Sequence, residues 1–329
     1  MKLSIIVSVV IPNWNGLEHL KDCLPSIKTQ TQKSLEVIII DNGSTDKSVD
    51  YIKQYFPDFR IIELKKNLGF AAAVNLGVKK SLGKYIVLLN NDTKLDKNCL
   101  KNLLLAAKQH PEVGLVTAKI LNFYQKNIID NAGDSVDIVG HSFTRGFGEK
   151  DGTKFNQPGY LFLVTGGGSL IKKEVFKKIG YFDEDYFLYM EDVDFCFRAQ
   201  LAGFKAWYQP KAIIYHKRMA TASKNMSLVE PICFRNMTMN IIKDYPKALL
   251  LHRANLIKII LVNLNTIKYL SSKGYFWKAI RAEWYIFTHF FDLLKQRKNI
   301  QSLKIVKDQY IINNVLDRKL KIPFTKIRV

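Results

Sequence analysis

Acidic residues are scarce in this 329-residue chain, where 29 Asp and Glu stand against 50 Lys and Arg for a formal net charge of +21. The deficit is uneven: residues 217–329 hold 22 basic and 6 acidic residues, so +16 of the excess sits in the last third. That asymmetry predicts an anionic partner for the C-terminal part, either a membrane surface or a nucleic acid. Cysteine is sparse too. Cys23, Cys99, Cys196 and Cys233 are scattered with no CxxC pair, which argues against a zinc site or a disulfide framework and predicts reduced cytosolic thiols. The sequons at Asn42, Asn225 and Asn236 are then chance matches. Long hydrophobic runs are missing as well. Between residues 248 and 270 the longest uncharged stretch is the nine residues from Ile259 to Ile267, against roughly 18 needed to cross a bilayer. The apolar start, Met1 to Ile11, is short and runs straight into a turn, so it reads as a first strand and not as a signal peptide. No GxGxxG or GxxxxGK[ST] stands in the right context, which argues against a dinucleotide-type Rossmann site and a P-loop.

What is present is an alternation of apolar strand runs and amphipathic helices over the first 121 residues. Strands are predicted near 5–12, 35–40, 59–64, 85–90 and 113–121, and helices over 16–30, 46–55, 70–81 and 97–109, with Asp46 and Asp96 as N-caps. The pattern implies an α/β fold with a doubly wound, mostly parallel sheet. Residues 122–160 lose periodicity and gain Gly, Asp, Asn and Ser, the composition of a functional loop. A helix from Glu191 to Ala202 is followed by strand-like Ala206–Gln209 and Ala212–His216, and beyond residue 230 the pattern is almost wholly helical.

Three strands deliver polar groups to what should be one sheet edge. Val7–Ile11 runs into Pro12-Asn-Trp-Asn-Gly16, Leu35–Ile40 into Asp41-Asn-Gly-Ser-Thr-Asp46, and Tyr85–Leu89 into Asn90-Asn91-Asp92. The carboxyl ends of parallel strands are where α/β proteins place their ligands, and a carboxylate there can hold a divalent metal beside a phosphate. One strand-end Asp is as readily a turn-former; two at the same edge point to a nucleotide site. Asn67-Leu-Gly69 opens a helix whose N-terminus suits phosphate or ribose oxygens, although small residues there equally serve tight packing. Glu191, Asp192 and Asp194 lie among aromatics at a helix start. They can be a capping cluster paired with Arg198, or a desolvated catalytic base. His216 closes an apolar strand, a structural position that is also within reach of a metal.

Taken in order, Val9-Val-Ile-Pro-Asn-Trp-Asn15, Asp41–Asp46, Asn67-Leu-Gly-Phe70, Leu88–Thr93, Gly180-Tyr-Phe-Asp-Glu184 and Tyr189-Met-Glu-Asp-Val-Asp194 resemble the motifs of inverting family-2 glycosyltransferases, in their rhamnosyltransferase-like branch. The resemblance covers roughly residues 5–245, with Phe234-Arg-Asn236 as a weaker trailing match. It implies a GT-A fold, with residues 1–245 as the catalytic domain and 246–329 as a helical, basic extension. It also implies a nucleotide site formed by Pro12, Asn13, Asp41, Asn67, Gly69 and Asn91, with Asp41 at the nucleobase. Asp92 would hold Mn²⁺ or Mg²⁺ on the diphosphate with His216 as a further ligand. Gly167, Gly168 and Glu191 would lie at the donor sugar or acceptor, and Asp192 would be the catalytic base. The metal motif here is Asn90-Asn91-Asp92, so a single carboxylate must serve where the family pattern has two.

Trp277, Ile280, Trp284, Phe287, Phe291 and Leu294 recur at spacings of three and four among basic residues, the pattern of an amphipathic helix that either lies on a membrane or packs on the catalytic domain. With the resemblance, this predicts a nucleotide-diphosphate sugar as donor (dTDP-rhamnose or a UDP-sugar). It also predicts a saccharide or lipid-linked saccharide as acceptor, and a peripheral position on the inner face of the plasma membrane. The competing readings are a sugar nucleotidylyltransferase, which would want a Gly- and Arg-rich first loop, a basic nucleic-acid-binding protein, and a glycosyltransferase fold kept as an inactive scaffold.

Overall fold

In a computed structural model of the chain, residues 5–218 and 226–315 are described; the sequon at Asn225 lies outside them. The first half contains β1 (Val7–Asn13), α1 (Leu17–Lys28), β2 (Leu35–Asp41), α2 (Ser48–Tyr55), β3 (Arg60–Glu63), α3 (Phe70–Lys80), β4 (Tyr85–Leu89), β5 (Thr93–Leu95), α4 (Cys99–Gln109) and β6 (Val113–Asn122). There follow β7 (Ile129–Asn131), β8 (Asp134–Val136), β9 (Ser142–Thr144), β10 (Gly159–Leu161), β11 (Gly168–Lys172), α5 (Lys173–Ile179), α6 (Glu191–Leu201) and β12 (Lys205–His216). The rest is helical: α7 (Met226–Asp244), α8 (Lys247–Leu250), α9 (Arg253–Ser272), α10 (Phe276–Thr288), α11 (Phe290–Ser302) and α12 (Asp308–Asn314).

The main sheet has the order β10-β12-β6-β11-β4-β1-β2-β3. Strands β3, β2, β1 and β4 are mutually parallel, β11 is inserted antiparallel between β4 and β6, and β6 and β12 are again parallel. The continuous β-branched and Leu runs are explained by burial on both faces. Val9, Ile11 and Val87 point into one apolar cluster with α1 and α4, while their neighbours Val10, Ile86 and Leu88 point into the other with α3 and α6. That second cluster continues without a break into Val262 of α9 and Ile311 of α12. The chain leaves β1 for β2 on one side and later returns to β4 on the other. The crevice at the carboxyl ends of β1 and β4 is therefore the topological switch point, where α/β sheets bind ligands.

Several expectations need correction. The N-caps of α2 and α4 are Lys47 and Asn98, not Asp46 and Asp96, whose carboxylates instead accept from the amides of Ser48 and Asn98 two residues on. The segment 122–160 is not structureless: it holds β7, β8, β9 and part of β10. The two strand-like pieces after residue 205 are one strand, β12, broken in register between Gln209 and Ile213 around Pro210, which has no amide hydrogen for a ladder. The single amphipathic helix expected through Trp277–Leu294 is two, α10 and α11, parted at His289.

Candidate functional site

Asn13 and Asp41 are the last residues of β1 and β2 and face each other in register. Both are buried, and Asn13 Nδ2 donates to Asp41 Oδ1 at 3.0 Å. The other oxygen of Asp41 accepts from the Ser44 amide at 3.0 Å, and Asn91 Nδ2 donates to Asn13 Oδ1 at 2.8 Å. Three strand ends are thus tied by one amide–carboxylate chain, as the polar residues at those ends require once buried. Pro12 is half-buried beside it. A second chain runs through Asn42, whose Nδ2 donates to Asn67 Oδ1 at 2.9 Å and to the Gly69 carbonyl at 3.0 Å; Asn67 Oδ1 also accepts from the Gly69 amide. Gly69 has φ +89°, and a Cβ there would lie 2.4 Å from the Phe187 carbonyl, so the opening of α3 demands glycine.

Asp92 follows β4 and meets His216 at the end of β12, with Asp92 Oδ2 3.3 Å from His216 Nε2. His216 Nδ1 lies 2.6 Å from Asp130 Oδ2, and Arg218 Nη1 donates to the other Asp130 oxygen at 2.9 Å. Burial works against charge on His216, but its two carboxylate partners outweigh burial and push its pKa up to about 9. Asp92 is likewise desolvated, yet the His216 hydrogen bond and charge hold it below the usual carboxylate range. Its Oδ1 is buried and has no hydrogen-bond partner, an orphan acceptor of the kind a cation satisfies. Among the described residues no group of three His, Cys, Asp or Glu side chains is arranged to hold a metal ion by itself. The donor set of one carboxylate and one imidazole fits a divalent cation that displaces the proton from His216 Nε2 and draws its remaining ligands from elsewhere.

Asp192 lies in the first turn of α6, where its Oδ2 accepts from the Gly166 amide at 2.9 Å and its Oδ1 from the Val193 amide at 2.9 Å. Burial raises its pKa despite those hydrogen bonds. Adjacent Glu191 is buried, its Oε2 has no partner, and burial together with the Asp192 charge drives its pKa well above normal. The two carboxyls titrate as a pair, and burial favours keeping a proton between them. Asp134 adds a third carboxyl, pushed up to about 7 by burial and by Asp192, and held by Asn131. Contiguity with Asp92 and its neighbours runs through two glycines. Gly166 touches Asp192, and a Cβ on Gly167 would lie 2.4 Å from Asn90 Nδ2, two residues from Asp92. Gly168 is different: it is buried in β11, where a side chain would run into Ile120 and Ile214.

The stretch before α6 is strained, since Phe187, Tyr189 and Met190 have φ of +61°, +64° and +70°. Asn236 of α7 clamps it, its Nδ2 donating to the carbonyls of Tyr186, Leu188 and Tyr189 at 2.8–3.1 Å. Asp194, by contrast, is structural. It is wholly buried between Arg198 (Nη2 to Oδ2, 2.6 Å) and Lys243 (2.9 Å), which depress its pKa against the opposing effect of burial. An open cavity of about 670 Å³ lies beside this edge, between Asn15 and Asp46 on one side and Tyr124, Lys217 and Arg218 on the other. Asp130, Asp134 and Arg218 were not anticipated from the sequence. The only trace of Asp130 is an acid inside a Gly- and Asn-rich segment.

The model of the family "Glycosyl transferase family 2" matches residues 8–180, which carry Asp41, Asp92 and the glycine run. Among curated proteins the chain is 26% identical over 242 residues to an N-acetylglucosaminyl-diphospho-decaprenol L-rhamnosyltransferase of Mycobacterium tuberculosis, covering 66% of this chain and 78% of that protein. It is 25% identical over 211 residues to a poly-beta-1,6-N-acetyl-D-glucosamine synthase of Staphylococcus epidermidis, covering 64% of this chain but only 49% of that longer protein. In fold it is similar to a mannosyltransferase of Pyrobaculum calidifontis solved with GDP-Man and Mn²⁺. There the TM-score is 0.56 at 15% identity, over 94% of this chain and 88% of the other.

Proposed function

Because the chain belongs to glycosyl transferase family 2, we propose that it moves a sugar from a nucleoside-diphosphate donor to a saccharide hydroxyl, with inversion at the anomeric carbon, in the synthesis of a cell-surface polysaccharide. The observation that carries this is the juxtaposition at one sheet edge of the Asn13–Asp41 pair, the orphaned Asp92 carboxylate and the desolvated Asp192. In this reading residues 1–245 are the catalytic unit and 246–329 its helical extension. Pro12, Asn13, Asp41, Asn67, Gly69 and Asn91 take the nucleotide, with Asp41 accepting from a base N–H. Asp92 and His216 hold Mn²⁺ or Mg²⁺, which when bound neutralises charge on the departing diphosphate. Lys217 and Arg218 beside the cavity add positive charge for the phosphates. Asp192 takes the proton of the acceptor hydroxyl as the oxygen attacks the anomeric carbon from the face opposite the nucleotide. Glu191 and Gly167 lie along the path of the sugar. Both curated relatives are named for polysaccharide or lipid-linked glycan chemistry, which favours dTDP-rhamnose or a UDP-sugar as donor. It also favours a lipid-linked acceptor at the inner face of the plasma membrane.

Thermal stabilisation of the full chain by a panel of nucleoside diphosphates, with and without Mn²⁺, tests the site. The expected result is a Mn²⁺-dependent shift with UDP or dTDP that disappears in Asp92→Ala. No shift with any nucleotide would sink the proposal.

A further inference from the structure

Helix α10 is amphipathic in the reverse sense to an ordinary surface helix. Its small and aliphatic residues Ala279, Ala282 and Ile286 turn inward and are buried, whereas Trp277 (75% exposed), Trp284 (63%) and Phe287 (72%) turn outward. Helix α11 continues the pattern, with Leu293 and Ile300 inside and Phe291 83% exposed. Helix α9, packed on α10, shows Leu256, Ile260 and Leu264 half-exposed on one face while Val262 and Leu270 are buried. The packing role left open by the sequence is thus filled by the small residues, and the large ones are left over. Soluble surfaces rarely expose contiguous apolar area on this scale without a partner.

We propose that the outward face of α10 and α11, continued by the exposed stripe of α9, is a docking surface for an anionic lipid bilayer. Charge complementarity selects that occupant. Residues 253–302 carry nine Lys and Arg against Glu283 and Asp292, with Arg281, Lys295 and Lys298 exposed beside the aromatics. A second copy would bring two strongly cationic segments face to face, and a nucleic acid would satisfy the cations but leave Trp277, Trp284 and Phe291 in water. An anionic leaflet satisfies both, with the aromatic rings at the headgroup–acyl boundary and the cations among lipid phosphates. Among the described residues no helix is long and apolar enough to cross a membrane, so the contact is made in the plane of the interface. The shelf is also tied to the catalytic side of the molecule. Lys278 Nζ donates to the Ser227 carbonyl and Lys273 pairs with Glu230, both at the start of α7, the helix whose Asn236 clamps the loop before Asp192. On the reading of the site given above, a lipid-borne acceptor moving along the leaflet would meet the catalytic edge from that side.

Sedimentation of the full chain with phosphatidylcholine vesicles, with and without phosphatidylglycerol, tests the proposal. Binding to the anionic vesicles is expected, falling by at least about tenfold in Trp284→Glu/Phe287→Glu/Phe291→Glu, since even one ring buried from water is worth about a factor of ten. Arg281→Glu/Lys295→Glu/Lys298→Glu should lose the preference for anionic lipid. All these side chains are exposed, so the melting temperature and the nucleotide-dependent shift should be unchanged in both variants. No uptake by anionic vesicles overturns the proposal, as does a stable dimer dissociated by the aromatic variant, or retention on DNA in place of vesicles. Vesicle uptake without any nucleotide shift would leave the surface standing and remove only the transferase reading.

Discussion

At the level of single residues, the site separates its carboxylates by environment. Asp194 is held ionised by Arg198 and Lys243, Asp92 by His216, and Asp192 is lifted by burial. A base must be ionised to accept a proton, so a raised pKa delays activity on the acid side. The rate should rise with pH through a midpoint above the ordinary Asp value of about 4, and flatten once Asp192 is charged. Asp192→Asn should lower kcat by about 10²–10⁴ while leaving the nucleotide-dependent melting shift intact; a variant that keeps wild-type turnover would remove Asp192 from the base role. If His216 holds the cation as proposed, Asp130 acts through it. Its 2.6 Å contact with Nδ1 leaves Nε2 facing Asp92. Asp130→Asn should therefore weaken Mn²⁺ binding by about 10–100-fold, read by paramagnetic resonance of free Mn²⁺ in the presence of nucleoside diphosphate and without any turnover.

Among the elements, α7 explains why a short trailing motif should accompany a nucleotide-sugar pattern at all. Asn236 of Phe234-Arg-Asn236 donates to three carbonyls of the positive-φ stretch that aims Asp192, and the neighbouring Arg235 donates to the Asp185 carbonyl. Asn236→Ala should cost about 1–3 kcal/mol in urea denaturation and, on the proposed assignment of Asp192 as base, lower kcat more than it raises the donor KM, because the loop it releases leads into Asp192 and not into the proposed nucleotide site. Strands β1, β2, β4 and β6 lie within two residues of their predicted bounds, since a strand buried on both faces is written as an unbroken apolar run. Strands β7 to β9 were invisible, because three residues in a Gly-, Asp- and Asn-rich segment carry no period. The Asp41 and Asp92 edge was legible from strand ends alone. Asp130 was not, since its meaning comes from a histidine 86 positions away in sequence. The periodicity of α10 marked two faces but not which one turns inward, a choice made by the close approach of Ala279 and Ala282 to the core.

For the whole molecule, the C-terminal helices both complete the core and carry the outward apolar shelf, so stability and attachment are separable in one segment: substitutions at Ala279 or Ile286 should affect the fold, and those at Trp284 or Phe291 the surface alone. The position of β12 has a consequence of another kind. It lies between β10 and β6, and both of those strands precede it in the chain. While the polypeptide is being made, β6 must wait with an open, apolar edge until residue 216 has left the ribosome, and β10 has no partner in the sheet until then. Unpaired edges of that kind join other chains as readily as their own. Nascent chains halted between the end of β10 and the end of β12 would thus be the species most prone to aggregate and most dependent on chaperones.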